Sequence, residues 1–314
     1  MLSLCPTDRS LAIMIQVVPS FLLMLDPRRV LTFCEVARQR SFSAAAAALS
    51  LTQPAVSQQI RGLETQLGEQ LIVRRRGIFE LTETGELLFE HAELLAEQLQ
   101  LAETQLQETV ATASSNLRLG AFPSALARLV PNAMQRVRSS GLELELTVTE
   151  GDADDLARQV RTGELHVALC FDSAADQPRE HAGTRRHDLF DEPMVAVLPP
   201  SHRLASRSRI RLGQLRNETW LAATRDGLIY RACVAAGFEP RITYLTADPL
   251  ASRGLVAAGL AVTLTPQLLA PHLDGVAIPR LEKPPRRTVY ALTPTLGVRP
   301  VVDRFLAAIR NEAR

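Results

Sequence analysis

The strongest constraint on the fold is a short helical segment followed, after a tight break, by a longer one. Ser41 precedes a run of alanines that ends at Leu49; Ser is a favoured N-cap and Ala the best helix former. After the break, Thr52 is placed to cap a second helix, with Pro54 in its first turn and Gly68 near its end. A short helix, a tight turn and a longer helix form the helix-turn-helix layout.

The second helix has two distinct faces. At about 100° per residue, its apolar side chains fall on one stripe: Val56, Ile60, Leu63 and Leu67. Small or polar side chains occupy the opposite side and the amino end, and we expect them to read DNA: Gln53, Pro54, Ser57, Gln58 and Arg61. Gln can pair with adenine, Arg with guanine, and Ser with a base or a phosphate. The alternative is that these residues merely face water.

Local charge supports nucleic-acid binding more than the total does. The formal net charge is only +1, so affinity for DNA has to come from a local patch. Residues 24–77 contain eight basic and four acidic residues, whereas 78–115 contain eight glutamates and no Lys or Arg. Arg74, Arg75 and Arg76 precede Gly77, which predicts a hairpin wing that grips phosphate.

A leucine stripe marks the acidic segment after the wing. Leucines and alanines recur at spacings of three and four, which is typical of a coiled-coil seam: Leu88, Ala92, Leu95, Leu99, Ala102 and Leu106. We expect dimerisation through Leu88, Leu95, Leu99 and Leu106; the alternative is a long helix packed on its own domain. A two-fold dimer would place two recognition helices ~34 Å apart and read an inverted repeat.

The C-terminal part alternates short apolar strands with helices, which predicts an α/β fold with a mostly parallel sheet. Ligands of such sheets bind beyond the carboxyl ends of strands, near helix amino ends that attract anions. The candidate effector-binding residues at such places are Ser124, Glu150, Thr224 and Thr246. Each is also explained as a helix cap or turn residue. We expect a small organic acid, with its carboxylate against Ser124 and neighbouring backbone amides.

Several motifs resemble the LysR-type transcriptional regulators. They are VLTFCEVA at 30–37, SF at 41–42, LTQPAVSQQI at 51–60, LE at 63–64, LG at 67–68, LIVR at 71–74 and LTETG at 81–85. The resemblance covers the winged domain from Met24 onward. It implies DNA contacts at Gln53, Pro54, Ser57 and Gln58, where Gln58 replaces a frequent Arg. It further implies dimerisation through the linker helix and a C-terminal domain of two lobes.

The predicted fold class is therefore α/β: an N-terminal winged helix-turn-helix, a long linker helix and a two-lobed effector domain like the periplasmic binding proteins. The expected bounds are 1–23 for an extension or misassigned start, 24–82 for the winged domain, 83–115 for the linker and 116–312 for the effector domain. Lobe I comprises 117–172 and 273–312, and lobe II 173–272. We expect a sequence-specific transcription regulator in the cytoplasm, whose partners are double-stranded DNA, a small-molecule effector and further copies in a homodimer or tetramer.

Other functions find less support. Four widely spaced cysteines without a C-x-x-C pair suit a reducing compartment and no metal, but a redox-sensing regulator using Cys170 or Cys233 stays an alternative. None of the motifs G-x-G-x-x-G, P-loop, G-x-S-x-G or H-E-x-x-H occurs, so we expect no enzyme and no cofactor. The apolar run at 11–25 is shorter than the roughly 20 residues of a membrane span. A solute-binding protein and a structural chromatin protein are the remaining alternatives.

Overall fold

The computed structural model describes residues 25–75, 78–110, 116–141 and 143–312. These residues form two compact units, which divide between Leu99 and Gln100. The extension expected at 1–23 and the wing residue Arg76 lie outside the described residues.

The first unit is a winged helix-turn-helix. Its elements are α1 (Pro27–Gln39), α2 (Phe42–Ala48), α3 (Gln53–Leu67), β1 (Ile72–Arg75), β2 (Ile78–Leu81) and the first part of α4 (Glu83–Val110). Ser41 and Thr52 cap α2 and α3 by accepting hydrogen bonds from the amides of Ala44 and Ala55. Gly68 ends α3 in the left-handed conformation. The antiparallel strands β1 and β2 form the wing.

The apolar stripe of α3 forms the core of this unit, as its periodicity predicted. Val56, Ile60 and Leu63 are buried against Phe33 of α1, and Ala92 of α4 completes the cluster. The start of α4 is fixed by a close approach of two backbones. The Thr82 hydroxyl donates to the Gln70 carbonyl (2.7 Å) and accepts from the Gly85 amide (3.0 Å). A Cβ at Gly85 would collide with the Leu71 carbonyl oxygen, so this position requires glycine.

The second unit is built on a six-stranded sheet with the order β10-β6-β12-β5-β3-β4. The strands are β3 (Asn116–Ala121), β4 (Glu145–Glu150), β5 (Val167–Ser173), β6 (Thr184–Val197), β10 (Thr263–Pro266) and β12 (Arg286–Pro294). β3 pairs in parallel with β4 and β5, whereas β12 is antiparallel to β5 and β6, and β6 is antiparallel to β10. The expectation of a mostly parallel sheet was therefore wrong. β12 enters the sheet from the far end of the chain and runs against both neighbours, which makes the sheet mixed.

Helices and shorter strands complete this unit. The helices are α5 (Val130–Ser139), preceded by a π-helical turn (Ala125–Leu129), α6 (Ala153–Arg161), α7 (Leu228–Ala235), α8 (Pro249–Ala257) and α9 (Pro300–Glu312). The strands β8 (Thr219–Ala222) and β9 (Arg241–Leu245) pair in parallel, as do β7 (Arg209–Ile210) and β11 (Arg280–Leu281). Short 3-10 helices lie at Leu212–Leu215 and Gln267–His272.

Two large apolar clusters divide the core of this unit. One contains Leu119 and Phe305 and joins β3 and β5 to α5 and α9. The other contains Trp220 and Cys233 and joins the end of β6 and β10 to α7. β6 contributes to both, because Phe190 packs on the first cluster and Met194 belongs to the second. The division agrees with a two-lobed architecture, while the lobe and domain bounds given above stay predictions.

Candidate functional site

The five predicted DNA-reading residues share one accessible side of the first unit. Gln53 and Pro54 open α3 directly after the Thr52 cap. Both are exposed, as are Gln58 and Arg61, whereas Ser57 is half-buried. The buried side of the same helix faces the core, so hydrogen-bonding groups are displayed where a major groove can receive them.

Arg61 is available for a ligand. Its Nε donates to the Ser57 carbonyl oxygen at 3.3 Å, and it has no carboxylate partner among the described residues. Arg74 and Arg75 lie on β1, opposite Phe79 and Ile78 of β2. They stand at the end of the first of the two paired strands, and a phosphate contact by these arginines stays a prediction.

The leucine stripe of α4 has two different environments. Leu88 is half-buried and packs on the core of the first unit beside the fully buried Ala92. Further along, Leu95, Leu99 and Leu106 are 38%, 45% and 66% exposed. The first part of the predicted seam therefore covers its own domain, and the later part displays apolar surface.

A cavity of about 760 Å³ in the second unit brings the predicted effector residues together. Ser124, Glu150, Thr224 and Thr246 all line it, although they come from four separate chain segments. Its lining also combines residues of both apolar clusters, such as Leu169 of the first and Leu264 of the second. The lining mixes apolar side chains with many polar and charged ones, such as Asp152, Arg179 and Arg253, and a cavity of this size is large enough for a small molecule.

A buried arginine at the base of this cleft was missed by sequence reasoning. Arg287 is only 3% exposed, and its Nη1 donates to the Ser124 hydroxyl at 3.0 Å. Its Nε and Nη2 donate to Oε2 of Glu192 at 3.0 and 2.8 Å. The other oxygen of Glu192 accepts from the Leu268 amide at 2.7 Å. Burial lowers the pKa of Arg287, and the Glu192 carboxylate opposes that shift.

Two aromatic rings flank the same guanidinium. The carbon Cζ of Arg287 lies 4.9 Å from the ring centre of Phe122 and 5.1 Å from that of Phe171. The two rings meet edge to face at 5.0 Å. Cation–π attraction favours this arrangement in a desolvated site, so the base of the cleft holds a paired guanidinium, with one donor on Ser124, beside apolar faces.

The structure corrects the expected role of the amides near Ser124. Ser124 makes no side-chain cap and has helical backbone angles, φ −70° and ψ −21°. The amides of Ala125 and Leu126 both donate to the Phe122 carbonyl, at 3.0 and 3.2 Å. These two groups are therefore occupied within the turn, and the expectation that they hold a carboxylate was wrong. The positive charge beside Ser124 comes from Arg287 instead.

The other three residues differ in how they are engaged. Thr246 accepts a hydrogen bond from the Asp248 amide at 3.1 Å, directly before α8, which is the role of a turn residue. Glu150, at the end of β4, is exposed, and its carboxylate has no partner within the part of the chain that the structure describes. Thr224 follows β8 and is exposed.

A helix-turn-helix unit joined to an α/β unit with a ligand-sized cleft defines a DNA-binding regulator that senses a small molecule. Residues 27–86 match the family profile described as "Bacterial regulatory helix-turn-helix protein, lysR family", and residues 111–314 match the one described as "LysR substrate binding domain". The chain belongs to the LysR family of transcriptional regulators.

Individual relatives agree with this assignment. The chain is 31% identical over 245 residues to a probable hydrogen peroxide-inducible genes activator of Mycobacterium avium, covering 76% of this chain and 77% of that protein. It is 27% identical to the DNA-binding transcriptional dual regulator OxyR of Escherichia coli, and the match covers 88% of this chain and 92% of OxyR. Full-length CbnR, solved in complex with its target DNA, shares the fold with a TM-score of 0.56 and a sequence identity of 22%. The match covers 92% of this chain and 100% of the CbnR chain.

Two further features bear on other functions. No helix among the described residues is both long and apolar enough to cross a membrane. The same residues contain no group of three or more His, Cys, Asp or Glu side chains arranged to hold a metal ion.

Proposed function

We propose that the cleft binds a small organic acid and that its occupancy controls how a dimer of this chain binds an inverted repeat in promoter DNA. The observation that carries the proposal is the hydrogen bond between Arg287 and Ser124 at the base of the cleft. Because the Ser124 oxygen accepts from a guanidinium, its own hydrogen is left to donate to a ligand. A carboxylate is the acceptor that gains most from such a charge-assisted site.

The pairing of Arg287 limits the charge of this ligand. Its guanidinium already shares two donors with Glu192, so the pair has little net charge to offer. A ligand with several negative charges would be poorly compensated in a buried site. A monoanion with an apolar body fits better, since Phe122, Phe171 and Leu269 line the same cavity.

The DNA-binding part of the proposal assigns base contacts to Gln53, Ser57, Gln58 and Arg61, with phosphate contacts from the wing. The exposed leucines of α4 hold the dimer, and dimers pair into tetramers. The domain bounds given from the sequence serve as the proposed boundaries. The regulator acts in the cytoplasm, with neither a catalytic role nor a cofactor.

The test compares Ser124→Ala with Ser139→Ala, an exposed serine of α5 outside the cleft. Small carboxylic acids are screened for binding by thermal shift, and the best is titrated calorimetrically into each protein. Ser124→Ala should lose about 1.5–3 kcal/mol of binding free energy, the usual worth of a hydrogen bond to a charged group. It should keep wild-type DNA affinity without the acid, and Ser139→Ala should match wild type throughout.

Equal affinity of the acid for both variants would remove Ser124 from the site. An inducer that is neutral or cationic would overturn the assignment of an organic acid.

The redox alternative has little structural support. Several relatives are named as peroxide-inducible activators. Cys170, however, is buried in a smaller apolar cluster of α6, β5 and β12, and Cys233 is buried in the cluster that contains Trp220. Burial raises the thiol pKa of each to about 12. Since the thiolate is the reactive form, thiols in such surroundings are poor targets for oxidation.

A further inference from the structure

A second cavity, of about 960 Å³, lies in the same unit beside the effector cleft. Its walls come from α7, the 3-10 helix at Leu212–Leu215 and the chain that leads into β12. We propose that this cavity binds a small phosphorylated molecule. The proposal is independent of the organic acid in the first cleft, because a different set of charges supports it.

The charge lining this second cavity is strongly one-sided. Two acidic side chains, Asp176 and Glu282, face five cationic ones: Arg211, Arg216, Arg231, Lys283 and Arg286. Among the described residues, only Arg231 of these five has a carboxylate partner, which is Asp176 at 3.2 Å. Within the described part of the chain, the guanidinium groups of Arg216 and Arg286 donate only to the carbonyls of Gly213 and Asp191, respectively. Uncompensated charges of one sign around a concave surface raise the local concentration of counter-ions.

The number of cations favours a phosphate group over a single carboxylate. Guanidinium groups pair with the oxygens of either acid, but five cations against two carboxylates suit the two or more negative charges of a phosphorylated molecule. The volume lies within the range of small-molecule sites. Apolar residues, including Leu212, Leu228, Ala232 and Pro284, also line the cavity, and they provide a surface for the organic part of the ligand.

One ion pair forms a wall that the two cavities share. Asp176 and Arg231 line both cavities, and they join the segment after β5 to α7. A phosphate in the second cavity would compete with Asp176 for Arg231. Removing the Asp176 charge should therefore strengthen phosphate binding, whereas removing cations on the far wall should weaken it.

The test uses inorganic pyrophosphate as the probe and isothermal titration calorimetry on the full-length protein at low salt. The variant R216Q/K283Q removes two cavity charges. The control R207Q/R304Q removes two exposed arginines outside the cavity and leaves every arginine of the DNA-binding unit in place. We expect pyrophosphate to bind R216Q/K283Q about tenfold more weakly than wild type, because charge-assisted hydrogen bonds are lost, and the control to bind like wild type.

A second pair of variants tests the sign of the effect. D176N should bind pyrophosphate more tightly than wild type, whereas D274N, which removes an exposed carboxylate outside the cavity, should not. The proposal would be overturned if R216Q/K283Q and R207Q/R304Q weakened pyrophosphate binding equally. A wild-type protein that shows no saturable pyrophosphate binding would also overturn it. An unchanged affinity in D176N would likewise overturn the shared role of Arg231.

Discussion

Two side chains one helical turn apart, Ser57 and Arg61, carry the simplest test of how this regulator reads DNA. Both lie away from the buried stripe of α3, so truncating them should leave the fold intact. We expect Ser57→Ala with Arg61→Ala to weaken binding to the specific site by about 1–3 kcal/mol for each lost base contact. The measurement is a salt-controlled binding titration on operator DNA and on random DNA.

Arg38→Ala is the control, since Arg38 forms ion pairs with Glu35 and Glu93 within the first unit. Its loss should change specific binding far less. If the double variant keeps the wild-type ratio of specific to random affinity, α3 does not read bases through this face.

His181 predicts how stability depends on pH. Its Nε2 lies 3.2 Å from the Tyr290 hydroxyl and its Nδ1 3.6 Å from Asp154, and its side chain is only 5% exposed. Burial lowers the pKa of His181 below 6.5; the carboxylates of Asp154 and Asp172 oppose the shift, and Arg179 and Arg161 reinforce it. The unfolded chain therefore binds the proton more readily, so stability is present above the unfolded pKa and falls as the pH drops through it.

Urea unfolding should show a falling free energy between about pH 7.5 and about pH 5.5, with a shallower fall in His181→Gln. His187, whose pKa is also lowered chiefly by burial, keeps part of the slope in that variant. Identical slopes in the two proteins would show that His181 does not contribute.

Sequence reasoning succeeded for residues whose roles depend on near neighbours. Each feature predicted for α3 depends only on residues of that helix and its cap. The structure has all three of them: the Thr52 cap, Pro54 in the first turn and the buried stripe that begins at Val56. Arg287 was missed because it lies 163 positions from Ser124. Nothing in the sequence on either side of it marks its side chain as buried. The occupied amides after Ser124 were missed because Ser124 was placed at the open amino end of its helix, whereas its backbone is already helical and the next two amides donate to the Phe122 carbonyl.

At the scale of elements, the exposed part of α4 makes the clearest prediction. Leu95 and Leu99 expose apolar surface that a dimer would cover. Leu95→Glu with Leu99→Glu should give smaller particles in sedimentation velocity and lose binding to inverted-repeat DNA. Gln98→Glu with Gln100→Glu adds the same charge to the same stretch without touching the leucines, and should sediment like wild type. A wild-type sedimentation coefficient for the leucine variant would exclude this seam.

Strand β6 shows where pattern reading fails for an element. Its continuous apolar run begins only at Met194, but the strand itself begins at Thr184. The part before Met194 is rich in charged side chains, and it is held by backbone pairing along β12. Backbone pairing with a distant strand leaves little trace in hydrophobic periodicity. The same long-range pairing made the sheet mixed where a parallel one was expected.

At the scale of the whole molecule, recognition and sensing belong to separate compact units. Control of DNA binding by an effector requires only that the ligand bind one arrangement of the protein better than another. The cleft is lined by residues of both apolar clusters, so a bound effector has the means to favour one arrangement of the lobes. The formal net charge is only +1, so attraction to the DNA phosphates has to come from the local excess of basic residues in the first unit.

A genome-wide map of the DNA bound by this protein in living cells tests the central claim most directly. The predicted result is a set of discrete promoter sites that share an inverted repeat, with half-sites about one helical turn apart, and with altered occupancy when the inducing acid is supplied. A diffuse map without a shared motif, or sites that persist unchanged in the Ser57→Ala and Arg61→Ala double variant, would contradict a regulator that reads sequence through α3.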